Sequence, residues 1–120
     1  MVRDPVLACT VLIPVNRDAD LSDGEPNSPA TWNWLEAAFY ERFGGGTQAP
    51  GLYKGFYRDP DTGEKVSDAS RKYTVAVPRS RLKQLRLLLS EACEVFAQKC
   101  IYLSVAGRVE FIKAKKHDPG

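Results

Sequence analysis

The sequence has little of what metal, redox or phosphate chemistry usually draws on. It contains one histidine, His117, in a polar tail, and three cysteines, Cys9, Cys93 and Cys100, with no CxxC pair among them. Metal sites need clustered Cys, His or carboxylate ligands, so no metal site is expected. An odd number of cysteines at positions suited to small hydrophobes excludes a disulfide framework and predicts reduced, buried thiols in a cytoplasmic protein. Neither GxxxxGK[ST] nor GxGxxG occurs, so the usual phosphate-cradling loops are excluded and no cofactor is expected. Gly44-Gly45-Gly46 follows a helical pattern where a phosphate loop would precede one. It reads as a helix stop and linker, with a ligand approaching its backbone as the alternative.

Long hydrophobic runs are also missing. Val6 to Val15 is the main apolar run near the start, about ten residues long, where a bilayer span needs about twenty. It contains Pro14 and has only Arg3 as a basic flank, which makes a poor signal peptide. Net charge is +2, so no global field favours nucleic acid. What is present is a globular balance, 43% hydrophobic and 27% charged over 120 residues, enough for one domain over residues 1–120 that owns a core.

The strongest pattern lies between Arg79 and Lys113. Leu82, Leu85, Leu89, Ala92 and Phe96 recur at steps of three and four, with Leu88 beside them, and predict an amphipathic helix capped by Ser80. A stripe of this kind is stable only against a partner surface. Upstream, Leu7, Cys9, Val11, Ile13 and Val15 alternate with milder residues and predict a central strand. Asn16 to Ser28, rich in Asp, Asn, Ser, Gly and Pro, predicts an exposed loop, mobile or ordered only by a partner. Ser28 and Pro29 then open a second helix carrying Trp32, Leu35, Phe39 and Phe43 on its buried stripe, closed by the glycines. Trp34 cannot share the Trp32 face; it either covers a core edge or marks a contact surface. Leu52 to Arg58 and Arg71 to Val77, the latter extended by Glu64 to Val66, predict a hairpin about the turn Asp59 to Gly63. Ile101 to Val105 and Val109 to Lys113 predict two short strands, and Ala114 to Gly120 a disordered tail.

The order strand, helix, strand, strand, helix, strand, with a small C-terminal extra strand, resembles the ferredoxin-like split βαβ fold: α+β, with two helices on one face of an antiparallel sheet. The runs Phe43-Gly44-Gly45-Gly46-Thr47 and Gly51-Leu52-Tyr53-Lys54-Gly55 are similar to those of small bacterial proteins of unknown function with this fold. The resemblance implies an architecture and no specific activity. It also implies a common mode of assembly, the dimeric α+β barrel, in which two open sheet faces stack. Here that face should carry Ala8, Thr10, Leu12, Lys72, Thr74, Ala76, Tyr102 and Ser104, with a single aromatic residue. RNA-binding sheets stack bases on several aromatics, which makes nucleic acid a minor alternative.

Two groups of residues could carry chemistry. Arg79, Arg81, Lys83 and Arg86 gather near Ser80 at a predicted helix start, where the dipole favours negative charge, so Arg79, Ser80, Arg81 and Arg86 are candidate anion ligands. The alternative is a solvated face. Tyr53, Tyr57, Arg58, Arg71 and Tyr73 cluster on the hairpin with Glu64 beyond its turn. Tyr53, Arg71 and Tyr73 are candidates for binding an aromatic or anionic small molecule; Glu64, Tyr57 and Arg58 are candidate catalytic groups. Cross-strand aromatic pairing explains the same tyrosines without a ligand. The leading expectation is a small cytoplasmic binding or regulatory protein that forms a homodimer. The rivals are a cofactor-independent oxygenase or isomerase with an aromatic-lined pocket, and a protein or nucleic-acid interaction module.

Overall fold

The computed structural model describes residues 3–59 and 61–115. Val6–Pro14 (β1) starts the sheet, with Cys9, Val11 and Ile13 fully buried on one side and their alternates more exposed on the other. Pro29–Phe43 (α1) follows, then Thr47–Gln48 (β2), Tyr53–Arg58 (β3) and the long Lys65–Pro78 (β4). A 3-10 turn, Arg79–Arg81, leads into Leu82–Val95 (α2), and Cys100–Val105 (β5) and Arg108–Lys113 (β6) complete the chain. The six strands make one antiparallel sheet in the order β2, β4, β1, β5, β6, with β3 also paired to β4. The chain is therefore α+β, two helices on an antiparallel six-stranded sheet.

β2 and β3 lie along the same edge of β4, opposite Thr74 to Tyr73 and Ser70 to Lys65 respectively. Pro50 has no N–H to donate, and Gly51 takes φ +75°, so the edge breaks between them. On the other side, β1 pairs with β4 only from Ser70 to Pro78. Residues 65–68 consequently pair with β3 alone, as a two-stranded ribbon running beyond the body of the sheet, while Ala69 O also accepts the Val15 N–H at 2.8 Å. The sequence reading split this strand at 67–70, where Ser67, Asp68, Ala69 and Ser70 interrupt the apolar pattern; hydrogen bonding to β3 carries it through.

The core collects the predicted stripes. Trp32, Leu35, Ala38 and Phe39 from α1 and Leu85, Leu88, Leu89, Ala92 and Cys93 from α2 pack on the buried face of β1, β4 and β5, with Phe96 wholly enclosed. Trp32 meets Phe96 edge-on at 4.7 Å between centroids, and Trp34 leans on the same ring at 6.5 Å, so Trp34 covers the core edge. Gly44 closes α1 in the left-handed conformation (φ 85°), its N–H donating to Tyr40 O. The cap of α2 is corrected: the helix begins at Leu82, and Ser80 sits in the preceding 3-10 turn.

The loop after β1 is also corrected, because the protein's own chain orders it. Asn16 bridges Pro26, and Arg17 forks onto Asp23 at 2.7 and 2.8 Å. Buried Asn27 donates to Phe96 O at 3.2 Å, Gln98 Nε2 donates to Asn16 O at 2.8 Å, and the Asp18 N–H reaches Ala97 O at 2.9 Å. These bonds tie the loop to the end of α2. Of the expected tail, residues 116–120, including His117, lie outside the described residues, while Ala114 packs against the core. Cys9 and Cys93 are buried free thiols; Cys100, expected inside, is exposed.

Candidate functional site

The ribbon and the tied loop face each other across a cavity of about 770 Å³. Its walls are the end of β1 and the loop from Val15 to Asp20 on one side, Leu52, Lys54 and Tyr57 with Val66 to Ala69 on the other, and Gln98 and Lys99 at the base. The geometry follows from the strand lengths: β4 and β3 continue past the point where β1 ends, and the chain leaving β1 turns under them.

Asp68 is the unusual group in this cavity. Aspartate is disfavoured inside strands, yet Asp68 stands mid-strand, half-buried, with no hydrogen bond or ion pair among the described residues. Burial pushes its carboxyl above the ordinary value of 3.8. Opposite it in the ladder is Gly55, where an added Cβ would lie 3.2 Å from Asp68 Oδ1. Tyr57 lines the same space, and its hydroxyl pKa is raised first by burial and then by the Asp68 and Asp18 charges, so it stays protonated and able to donate. Two of the cavity's three cations are already engaged, Arg17 by Asp23 and Lys99 by Asp20 at 2.7 Å. Lys54 then stands against Asp18, Asp59 and Asp68, and the net negative lining favours cationic or hydrogen-bond-donating ligands.

The residues singled out from sequence do not converge. Tyr57 lines the cavity; Glu64 and Arg58 do not, and Glu64 is exposed at the ribbon turn, where its carbonyl accepts the Asp59 N–H. The Arg79 to Arg86 group is spread over separate contacts. Asp4 accepts both the Ser80 N–H at 3.0 Å and the Ser80 hydroxyl at 2.6 Å, so the protein's own carboxylate occupies that turn. Arg81 lies over the Phe43 ring and donates to Gln84. Arg86 forks onto Glu110. Arg79 donates its N–H to Pro5 O.

On the hairpin, the tyrosines form no cross-strand aromatic pairs with one another. Tyr53 faces Ser70, with Lys72 over its ring; Tyr57 faces Val66. Tyr73 is core, near Trp32 and Phe39, and its hydroxyl donates to Glu36. Burial pushes that hydroxyl up to about 12. Arg71 lies 4.3 Å over the Trp32 ring. Burial likewise holds the Cys93 thiol at about 12 and raises Cys9, so both are inert thiols.

Sequence reasoning missed Asp68, Asp18, Lys54 and Gln98. Asp68 left a signal, a carboxylate inside a strand pattern, but it was absorbed into a presumed break. Among the described residues no group of three metal-ligating side chains occurs, and no helix is long and apolar enough to cross a membrane.

No family model and no curated protein match the sequence. Two solved structures share its fold. A phage SAM lyase in complex with S-methyl-5'-thioadenosine aligns with a TM-score of 0.69 at 14% identity, covering 98% of this chain and 97% of that chain. A phage SAM lyase in its apo state aligns with a TM-score of 0.61 at 16% identity, covering 98% of each. At these identities the likeness establishes a shared fold.

Proposed function

We propose that the cavity beneath the β3–β4 ribbon binds a small adenosine thioether or sulfonium, and that the chain acts as a lyase on a sulfonium of the S-adenosylmethionine class. The observation that carries this reading is Asp68, a half-buried carboxylate without a partner among the described residues, in a cavity of about 770 Å³ that Tyr57 also lines. That volume lies within the usual range for small-ligand sites. A carboxylate withdrawn from water gains from a cation brought to it, and a sulfonium is a cation that cannot lose its charge by deprotonation. The end-to-end fold likeness to two SAM lyase structures supports the same ligand class. In this reading Asp68 faces the charged sulfur and Tyr57 donates a hydrogen bond, while Leu52 and Val66 supply apolar wall. The candidate pair Glu64 and Arg58 is replaced by Asp68, with Tyr57 retained.

The test is calorimetric titration with S-adenosylmethionine and with S-methyl-5'-thioadenosine, followed by mass spectrometry of the incubated sulfonium. The reading expects both to bind; the bond from the sulfonium sulfur to the amino-acid chain to break, its electron pair staying on the released thioether while the chain loses a proton to become an alkene or closes on its own carboxylate as a lactone; and Asp68→Asn to weaken the sulfonium by about tenfold or more while sparing the neutral thioether. Binding without turnover leaves a binding or regulatory protein. Absence of binding by either ligand overturns the assignment.

We infer, second, that the open sheet face packs against another copy of this chain. β6 adds Val109 and Phe111, 53% and 61% exposed, to a face already carrying Leu12 and Tyr102, and Phe111 meets Tyr102 edge-on at 5.9 Å. The strand order supports reading the fold as ferredoxin-like with β6 appended, an architecture that assembles through this face. Native mass spectrometry should show an oligomer that Phe111→Lys converts to a monomer; a monomeric wild type removes this reading. The absence of disulfides supports a reducing, cytoplasmic setting.

A further inference from the structure

We propose that a second cavity, between the C-terminal half of α1 and the edge strand β2, binds an organic cation: an ammonium head on a short apolar body. The cavity has a volume of about 220 Å³, room for a head group and little more. It shares no lining residue with the larger cavity, so it stands or falls independently of the ligand assigned there.

Three features of this cavity favour positive charge. Its only acidic side chain is Glu36, and no Lys, Arg or His lines it. Glu36 Oε2 accepts the Tyr73 hydroxyl at 3.0 Å, which orients the carboxylate and leaves Oε1 with no partner among the described residues. Arg71 lies over the Trp32 ring, where its charge reaches the Tyr73 hydroxyl, and it forms no ion pair with Glu36. The end of α1 that approaches the cavity is its carbonyl end, where the helix dipole is negative.

The remaining walls suit an alkylated cation. Phe39 and Tyr73 back the cavity as core rings, 1% and 2% exposed, and Tyr40 presents the open ring face, which attracts a cation without requiring a donated hydrogen bond. Tyr40 is 71% exposed, a large ring left in water at the mouth of the cavity with no folding role in view. The backbone of Gly45 and Gly46 makes the opposite wall. A Cβ at Gly46 would lie 3.3 Å from Val75 Cγ2 and 3.6 Å from the Phe39 ring, so this loop is packed tightly against the core and the wall is firm. A firm wall at Gly46, an oriented carboxylate and one exposed aromatic ring together make a shallow seat, open on the solvent side.

The experiment is an NMR titration of the full chain with choline chloride and with 3,3-dimethylbutan-1-ol, its uncharged carbon isostere, with sodium chloride as the ionic-strength control. Shifts of the Gly45 and Gly46 amides report the site. The proposal expects saturable choline binding in the millimolar range and binding of the neutral isostere about tenfold weaker or worse. Glu36→Gln should weaken choline by a similar factor, and Gln48→Glu, which adds a second carboxylate on an exposed strand, should tighten it. Both positions are exposed, so both variants should fold. Equal binding of choline and its isostere, an unchanged affinity in Glu36→Gln, or no saturable shift at Gly45 and Gly46 would each overturn it.

Discussion

Gly55 and Asp68 face each other across the β3–β4 ladder, and the missing side chain of one leaves the space that the carboxylate of the other occupies. Gly55 has no positive φ, so alanine suits its backbone and should gain the modest strand preference that glycine lacks. Its methyl group, however, would stand 3.2 Å from Asp68 Oδ1 and push the carboxylate aside. Gly55→Ala is therefore expected to keep the melting temperature within a few degrees of wild type while weakening the sulfonium ligand several-fold. Calorimetry on the two proteins checks both halves.

The Asp68 carboxyl also makes a pH prediction. Its folded pKa is raised by burial, so ionising it costs the folded state more than the unfolded one. That cost is absent below the unfolded value, grows as pH rises through the carboxylate range, and is complete above the folded value. Asp68→Asn removes it. Thermal melts without ligand should show the variant equal to wild type near about pH 3 and at least as stable at about pH 7. A variant clearly less stable at neutral pH would mean that the carboxylate has a stabilising partner.

The Arg86–Glu110 pair runs the other way. Arg86 Nε and Nη2 reach the two Glu110 oxygens at 2.7 and 3.2 Å, and the fork holds the Glu110 carboxyl below its ordinary range. A depressed carboxylate stabilises above its unfolded pKa and loses that contribution as pH falls through the folded value. Both side chains are partly exposed, 43% and 33%, so screening limits the pair to no more than about 1 kcal/mol. Glu110→Gln should cost that much in low salt at neutral pH, less at high salt, and nothing in acid. Urea melts across that grid measure it.

The β5–β6 turn offers a gain in stability. Ala106 and Gly107 both have positive φ, 47° and 87°, the pattern of the tight hairpin turn that favours Asn-Gly. Alanine is strained there by roughly 1 kcal/mol. Ala106→Asn should recover part of this and raise the melting temperature by about 3 °C, since the Ala106 N–H bond to Ala8 O is a backbone bond the substitution keeps.

Local patterns made much of the fold legible. The alternation of Cys9, Val11 and Ile13, the stripe from Leu82 to Phe96 and the glycine stop after Phe43 each follow from a residue's neighbours in sequence, and each element formed where the pattern lay. β2 escaped because two exposed residues, Thr47 and Gln48, carry no period. The surroundings of Ser80 were hidden for a different reason: the carboxylate it donates to, Asp4, is 76 residues away, and a helix-start cluster looks open until such a group arrives. The candidate site was the least legible part. Tyr57 was singled out by its type and lines the cavity, but Asp68, Asp18 and Lys99 become one surface only when the ribbon overhangs the loop. A titratable group is singled out by its desolvation, which no spacing rule records.

The two walls of the large cavity also differ in how they are held. The loop is tied to the end of α2 through Asn27, Gln98 and the Asp18 N–H, whereas residues 65–68 and their β3 partners form a two-stranded ribbon, held at its base by the Val15 N–H bond to Ala69 O. Two-stranded ribbons are marginal alone and open locally at little cost. Amide protons of the ribbon should thus exchange with solvent long before those of Val75 or Leu103, and a ligand spanning the gap would act as a third strand's worth of restraint. Occupancy would be visible as slowed exchange confined to one arm of the molecule, with the core unaltered.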